Sequence, residues 1–322
     1  MTRFRLYLAS LFALIAAVTA THPTSAQTRV PMDATGEWLV VPVVADDDTL
    51  RFILDTGAMR SVVGERAARR LQLQPTRTLS VEGASGAAVV RGTTLRTFEF
   101  AGRTVRNLDV LILGDDIITP ANAPGHGPYD GVLGADILAR FDILISAPAG
   151  ELIVFPAGTG AQLAAADLAQ PIRFEGRGSF VFHDVDVGGT VLAAILDSGA
   201  RHLVLNGRAR EVPGLRLSTD SVRRASPGVG TDEATIRAGT LRSLAIGTTV
   251  FRDLPIHLAD LRIFATLRLS DRPAALIGMP ALRSCPVLVS WHERTVRYCR
   301  QPGASADARA ATARSEPVMP QR

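Results

Sequence analysis

Two stretches with the same order of apolar and polar positions organise the chain. Phe52-Ile53-Leu54-Asp55-Thr56-Gly57-Ala58 returns 142 positions later as Ala194-Ile195-Leu196-Asp197-Ser198-Gly199-Ala200. Each is an apolar run ending in a carboxylate, a small hydroxyl residue, a glycine and an alanine. A run of this length and composition predicts a buried strand. An aspartate at its end must be paired, hydrogen-bonded or functional to offset its desolvation.

The flanking pattern repeats as well, and self-similarity at a near-constant offset reveals architecture before any propensity does. Residues 36–44 and 178–187 are β-rich leads into the two aspartates, and 59–71 and 201–212 mix apolar and Arg positions that predict a short helical piece. Gly-rich polar patches follow, one holding Gly83, Ser85 and Gly86, the other Gly228 and Gly230. Between strand-like flanks they predict hairpin tips. Strands are expected over 95–100 and 105–113, and again over 241–246 and 250–258. Each half closes with an apolar-apolar-glycine element, 129–138 and 274–282. Beyond these, 141–146 aligns with 285–290 and 152–155 with 296–299 without a gap. The pattern predicts two similar, strand-rich halves, 36–158 and 170–300, joined by a small, polar linker over about 157–170.

Composition adds limits. With 322 residues, 47% hydrophobic and 20% charged, the chain has room for two packed domains. All 35 basic residues are Arg, which excludes Schiff-base lysine chemistry and a phosphate-binding loop of the P-loop kind. The net charge is only +4, and no basic run is interleaved with aromatics, so no nucleic-acid partner is expected. Arg3 and Arg5, an apolar run over 6–20 and small residues before Ala20 or Ala26 read as a signal peptide over 1–26, cleaved at one of those alanines. The run is shorter than the roughly 20 residues of a membrane span. A periplasmic or secreted protein is expected, with a disordered tail over 301–322 that is almost devoid of bulky apolar residues.

Export makes a disulfide permissible, and the only cysteines are Cys285 and Cys299. In the repeat they replace Phe141 and Phe155. With a hairpin turning at 147–149 and 291–293, the two positions would face each other on adjacent strands, where Cβ atoms are typically about 4.5–5.5 Å apart. A structural disulfide follows. His126 stands in a Pro-Gly turn, and His183, His202, His257 and His292 are scattered without metal-ligand spacing. No serine nucleophile elbow or nucleotide fingerprint is present.

The paired Asp-Thr/Ser-Gly-Ala stretches, followed about 80 residues later by Gly134 and Gly278 in apolar settings, resemble the pepsin and retropepsin clan of aspartic proteases. Tyr129-Asp130-Gly131-Val132-Leu133-Gly134 is similar to the closing element of the first pepsin lobe, and the resemblance covers about residues 36–300. It implies two β-barrel lobes about a pseudo-twofold axis, each giving one catalytic aspartate, Asp55 and Asp197, to a shared cleft. Thr56 and Ser198 would cross-link the two loops, and Gly57 and Gly199 would let backbone amides approach the carboxylates. The hairpin tips at Gly83, Ser85, Gly86, Gly228 and Gly230 become flap candidates. The implied substrate is a protein or peptide, hydrolysed by a monomer with no cofactor and no metal. A peptide-binding protein that keeps this fold without turnover is the competing expectation.

Ala58 and Ala200 stand where pepsins carry Ser or Thr, and in this they resemble retropepsins. A hydroxyl there would donate to the carboxylate and lower its pKa, so its absence predicts an optimum less acidic than that of gastric enzymes, nearer pH 5–7 as a rough figure. Asp130, Asp136 and Asp142 read as structural carboxylates that tie loops.

Overall fold

The computed structural model describes residues 27–119, 128–164, 166–225 and 228–301. The expected leader with its cleavage points, His126 and the tail from 302 onward lie outside these residues.

After β1 (Thr28–Pro31), the first lobe is built from β2 (Val40–Ala45), β3 (Asp48–Leu54), β4 (Val62–Gly64), β5 (Arg77–Gly83), β6 (Gly86–Phe100), β7 (Arg103–Leu113) and β8 (Gly131–Leu133). These seven form one sheet in the order β2-β3-β8-β4-β7-β6-β5. β8 runs parallel to β3, and β4 parallel to β7. With neighbours on both sides and layers above and below, β3 buries Phe52, Ile53 and Leu54, which is why that stretch is an unbroken apolar run. The expected helical piece is the helix Glu65–Arg70. The strand expected over 95–100 is the end of a longer one, because β6 pairs with β5 from the hairpin tip onward.

β9 (Phe141–Ser146) and β10 (Glu151–Pro156) leave this lobe as a hairpin. The second lobe repeats the plan with β11 (Ile172–Arg173), β12 (Glu175–Arg177), β13 (Phe180–Val187), β14 (Thr190–Leu196), β15 (Leu203–Leu205), β16 (Leu215–Ala225), β17 (Ala234–Ile246), β18 (Thr249–Leu258), β19 (Ala274–Ile277), β20 (Val287–Ser290) and β21 (Thr295–Tyr298). Its sheet order, β12-β13-β14-β19-β15-β18-β17-β16, is that of the first lobe with β12 added at one edge. The protein is thus an all-β chain of two similar lobes.

A third sheet, β1-β10-β9-β20-β21-β11, takes strands from both halves. β9 and β20 pair antiparallel at its centre, with Leu144 opposite Leu288. Those two residues are equivalents in the repeat, so the pseudo-twofold relation runs through their pairing. One face of this sheet joins the main core through Ile143, Ile145, Val287 and Val289. The other carries Leu144, Ile153, Phe155 and Leu288 and is covered by Ala161, Ala164, Ala166 and Leu168. The segment expected to be a plain linker therefore also caps an apolar face, with a short helix Gly160–Leu163 and a bridge from Leu168 to Cys299.

Cys285 and Cys299 form a disulfide, with Cα atoms 5.4 Å apart. They are not directly opposite, as the hairpin argument required. Val287 faces Tyr298, so the same register sets Pro286 against Cys299, and the bond runs diagonally just past the strand ends.

Candidate active site

Asp55 and Asp197 are the first residues beyond β3 and β14. Each strand is held at its end by a parallel neighbour: Asp55 N donates to Leu133 O, at 3.1 Å, and Asp197 N to Ile277 O, at 3.0 Å. The two ends meet. The carboxyls share a hydrogen bond and stand partly buried side by side.

The loops that follow turn their amides back. Gly57 N and Ala58 N donate to Asp55 Oδ1 at 2.8 and 3.0 Å, and Gly199 N and Ala200 N to Asp197 Oδ1 at 2.9 and 3.1 Å. Gly57 lies against the Asp197 carboxyl and Gly199 against that of Asp55, each so closely that a Cβ would collide with it. Only glycine at both positions allows the two acids to approach across the lobe boundary.

Beneath them Thr56 and Ser198 are buried and brace the loops in both directions. Thr56 Oγ1 donates to Leu196 O at 3.0 Å and accepts from Ser198 N at 3.1 Å. Ser198 Oγ donates to Leu54 O at 2.7 Å and accepts from Thr56 N at 3.0 Å. All four bonds cross between lobes.

Burial raises both carboxyls above the ordinary aspartate range. For Asp55 it is opposed by the amides of Gly57 and Ala58, by the bond from Asp197 and by the Gly199 amide. For Asp197 the negative charge of Asp55 adds to burial, and the amides of Gly199 and Ala200 oppose it. Two acids this close cannot both ionise cheaply, which favours a proton shared between them. The pair titrates as a unit.

Both hairpin tips are where the Gly-rich patches placed them. Gly83, Ser85 and Gly86 turn β5 into β6, while Gly228 and Gly230 lie between β16 and β17. The tips also touch each other: Ser85 N donates to Val229 O at 2.9 Å and Asp232 N to Ser85 O at 2.8 Å, with Ser85 bridged to Gly230. Gly230 has φ +108°, and a Cβ on it would meet the Ser85 backbone. Val229 packs on the apolar cluster that holds Trp38 and Tyr129.

The sequence motifs do not single out Trp38. Its Nε1 donates to Gly199 O at 2.8 Å, its ring meets Tyr129 edge-on at 5.7 Å, and the Arg201 guanidinium lies 5.3 Å from its centre. Arg201 is paired at 2.8 Å with Glu37. One aromatic residue of the first lobe thus steadies the aspartate loop of the second. Its place in the β-rich lead, opposite Phe180 in the repeat, is the available signal.

The three structural carboxylates do tie loops. Asp130 accepts from Arg51 N at 3.0 Å and meets Arg66 and Arg70 at 3.5 Å, Asp136 accepts from Ser61 N and Oγ at 3.0 and 2.7 Å, and Asp142 accepts from Gly160 N at 2.8 Å. The histidines are less scattered than their spacing suggests, since the rings of His202 and His257 meet with centres 3.8 Å apart and planes tilted by 42°. Among the described residues no group of three or more His, Cys, Asp or Glu could hold a metal ion, and no helix is long and apolar enough to cross a membrane.

A search of curated proteins finds no significant match. Comparison with protein families matches residues 41–137 and 183–281 to the family described as aspartyl protease, one match in each lobe. The chain belongs to the aspartyl protease family.

Proposed function

We propose that this protein is an exported aspartic endopeptidase in which Asp55 and Asp197 together activate a water molecule. The observation that carries the reading is the contact of two partly buried carboxyls, one from each lobe, that share a hydrogen bond. The ionised carboxylate takes a proton from water as the oxygen attacks the scissile carbonyl carbon, and the protonated partner polarises and then protonates the carbonyl oxygen. In the second step the amide nitrogen gains a proton from the dyad while a hydroxyl of the gem-diol gives one back to it, the C–N bond breaks, and a carboxylic acid and an amine leave. The water supplies the oxygen and the protons balance, so the dyad returns to its one-proton state.

Thr56, Gly57, Ser198 and Gly199 hold the pair in register, and the tips at Ser85 and Gly230 close over substrate and exclude water. Two half-sites in one chain make a monomer sufficient. Export is supported by the leader-like pattern of residues 1–26 and by the disulfide.

The test is cleavage of a peptide library by the purified protein between pH 3 and 8, with and without pepstatin. Inhibitable cleavage lost in both Asp55→Asn and Asp197→Asn supports the reading. Wild-type protein that binds peptides but cuts none of them identifies a peptide-binding protein instead.

A further inference from the structure

The strands that follow the two aspartate loops form equivalent walls in the two lobes, and matching their registers shows that the walls have diverged in chemistry. β4 pairs with β7 so that Val62 faces Leu111, and β15 pairs with β18 so that Val204 faces His257. Leu111 faces Gly92 on β6, and His257 faces Ala238 on β17. Two residues along the same face, Val90 pairs with Leu79 and Ile236 with Arg223. Leu111 and Leu79 of the first lobe therefore correspond to His257 and Arg223 of the second. By the offset of the aspartate stretches, Met59 corresponds to Arg201 and Arg60 to His202.

The first wall is apolar at two of these places, where Leu111 and Leu79 belong to the cluster with Trp38 and Val90, while Met59 and Arg60 are exposed at its edge. The second is basic. His202 and His257 are in ring contact and half-buried, five residues beyond Asp197 in the one case and on strand β18 in the other. Burial and the charges of Arg201 and Arg223 oppose the protonation of both, and His202 also opposes that of His257. The carboxylate that favours it is Glu37, and Glu37 is already engaged by Arg201. Arg223 is exposed and makes no ion pair among the described residues. A cluster of cationic and proton-accepting groups with so little local counter-charge is suited to a carboxylate from outside.

We propose that the second-lobe wall formed by His202, His257 and Arg223 is a specificity subsite for an acidic side chain, Asp or Glu, of the peptide substrate. The inference rests on the protease reading for its substrate. A substrate carboxylate pairs with Arg223 and accepts from the imidazoles, whose protonation it favours in turn, so binding of an acidic peptide takes up protons.

The experiment uses peptide pairs that differ only as Glu against Gln at each position flanking the scissile bond, with the full-length protein as enzyme. At one position Glu is preferred over Gln in kcat/KM by about tenfold, the scale of one well-placed charge pair. In Arg223→Gln that ratio falls toward one, and in Arg223→Glu a Lys peptide overtakes its Glu counterpart. Because Arg223 is exposed, both variants are expected to fold, which the melting temperature checks. A wild-type ratio below about twofold at every position, or a ratio untouched by both variants, overturns the inference while leaving the protease reading intact. If no peptide is cut, the protease reading fails by itself. The same pairs are then titrated by fluorescence anisotropy, and an affinity ratio that fails to respond to Arg223→Glu overturns the subsite.

Discussion

Thr56 and Ser198 make the same two bonds to one another's loops, each hydroxyl donating to the carbonyl before the opposite aspartate and accepting the opposite amide. The lobes are therefore joined at the dyad by a reciprocal lock in which no donor is spare. Thr56→Ala leaves the Leu196 carbonyl and the Ser198 amide unpaired in a dry site, at a cost of about 1–3 kcal/mol for each stranded group. Ser198→Ala is expected to cost a similar amount. Because the bonds are shared, the double variant should lose less than the sum, by about 0.5–3 kcal/mol. Urea unfolding of the four proteins measures this, and strict additivity contradicts the lock.

The dyad makes a signed prediction about stability. A free aspartate titrates near 3.8, and Asp197 is raised above that in the folded protein. Between the two values the folded state holds more protons than the unfolded chain, so this group's contribution declines as pH rises. Asp197→Asn removes the cost of keeping a buried acid beside Asp55 protonated and should stabilise the protein at pH 7 by about 1–2 kcal/mol, with the gain vanishing near pH 4. The same variant should lose activity by about 10²–10⁴-fold. Wild-type activity should peak at about pH 5–7, because both carboxyls are shifted upward; a sharp maximum near pH 2–3 contradicts the argument from Ala58 and Ala200.

Contact between the hairpin tips implies that substrate entry must break the bonds from Ser85 to Val229 and from Asp232 to Ser85. Their amides should be protected from hydrogen exchange in the free protein and more so with a bound peptide inhibitor. Gly230→Ala, strained by the positive φ and by the Ser85 backbone, should free the tips. We expect faster exchange at Ser85 and a KM raised by about tenfold with kcat changed less. Exchange at Ser85 unchanged by the substitution would show that the tips open independently of this contact.

Strand content, hairpin tips and the pairing of two aspartate loops were legible because each has a local signature, and the repeat doubled every signal. What escaped has no such signature. The bond from Trp38 to Gly199 joins residues 161 positions apart, and no periodicity marks a partner at that distance. His202 and His257 meet only because β15 and β18 run parallel, which brings Val204 beside His257. The cysteine pair was legible but its geometry was not, since the hairpin argument placed the residues inside the strands and they lie just beyond them. The segment over 157–170 looked like a tether because its residues are small. Small residues are also what lies flat on the face made by Leu144 and Leu288.

His183 offers the clearest pH test outside the dyad. It is buried on β13, with Nδ1 3.2 Å from the Asp184 carbonyl and Nε2 2.9 Å from the Tyr298 hydroxyl. A carbonyl only accepts, so the neutral ring carries its proton on Nδ1 and Nε2 accepts from Tyr298, whose own titration is pushed up by burial. Burial lowers His183 from 6.5 to about 4, opposed by the Asp184 carbonyl and charge. Here the unfolded chain binds the extra proton, so the contribution is fully present above pH 6.5 and is lost as pH falls toward 4. The loss is roughly 3 kcal/mol over that window. His183→Gln keeps an acceptor for Tyr298 and removes the titration. Its unfolding free energy, measured by urea at intervals from pH 4 to 7, should be flatter than that of the wild type by about this amount, and parallel curves would assign the acid sensitivity to other groups.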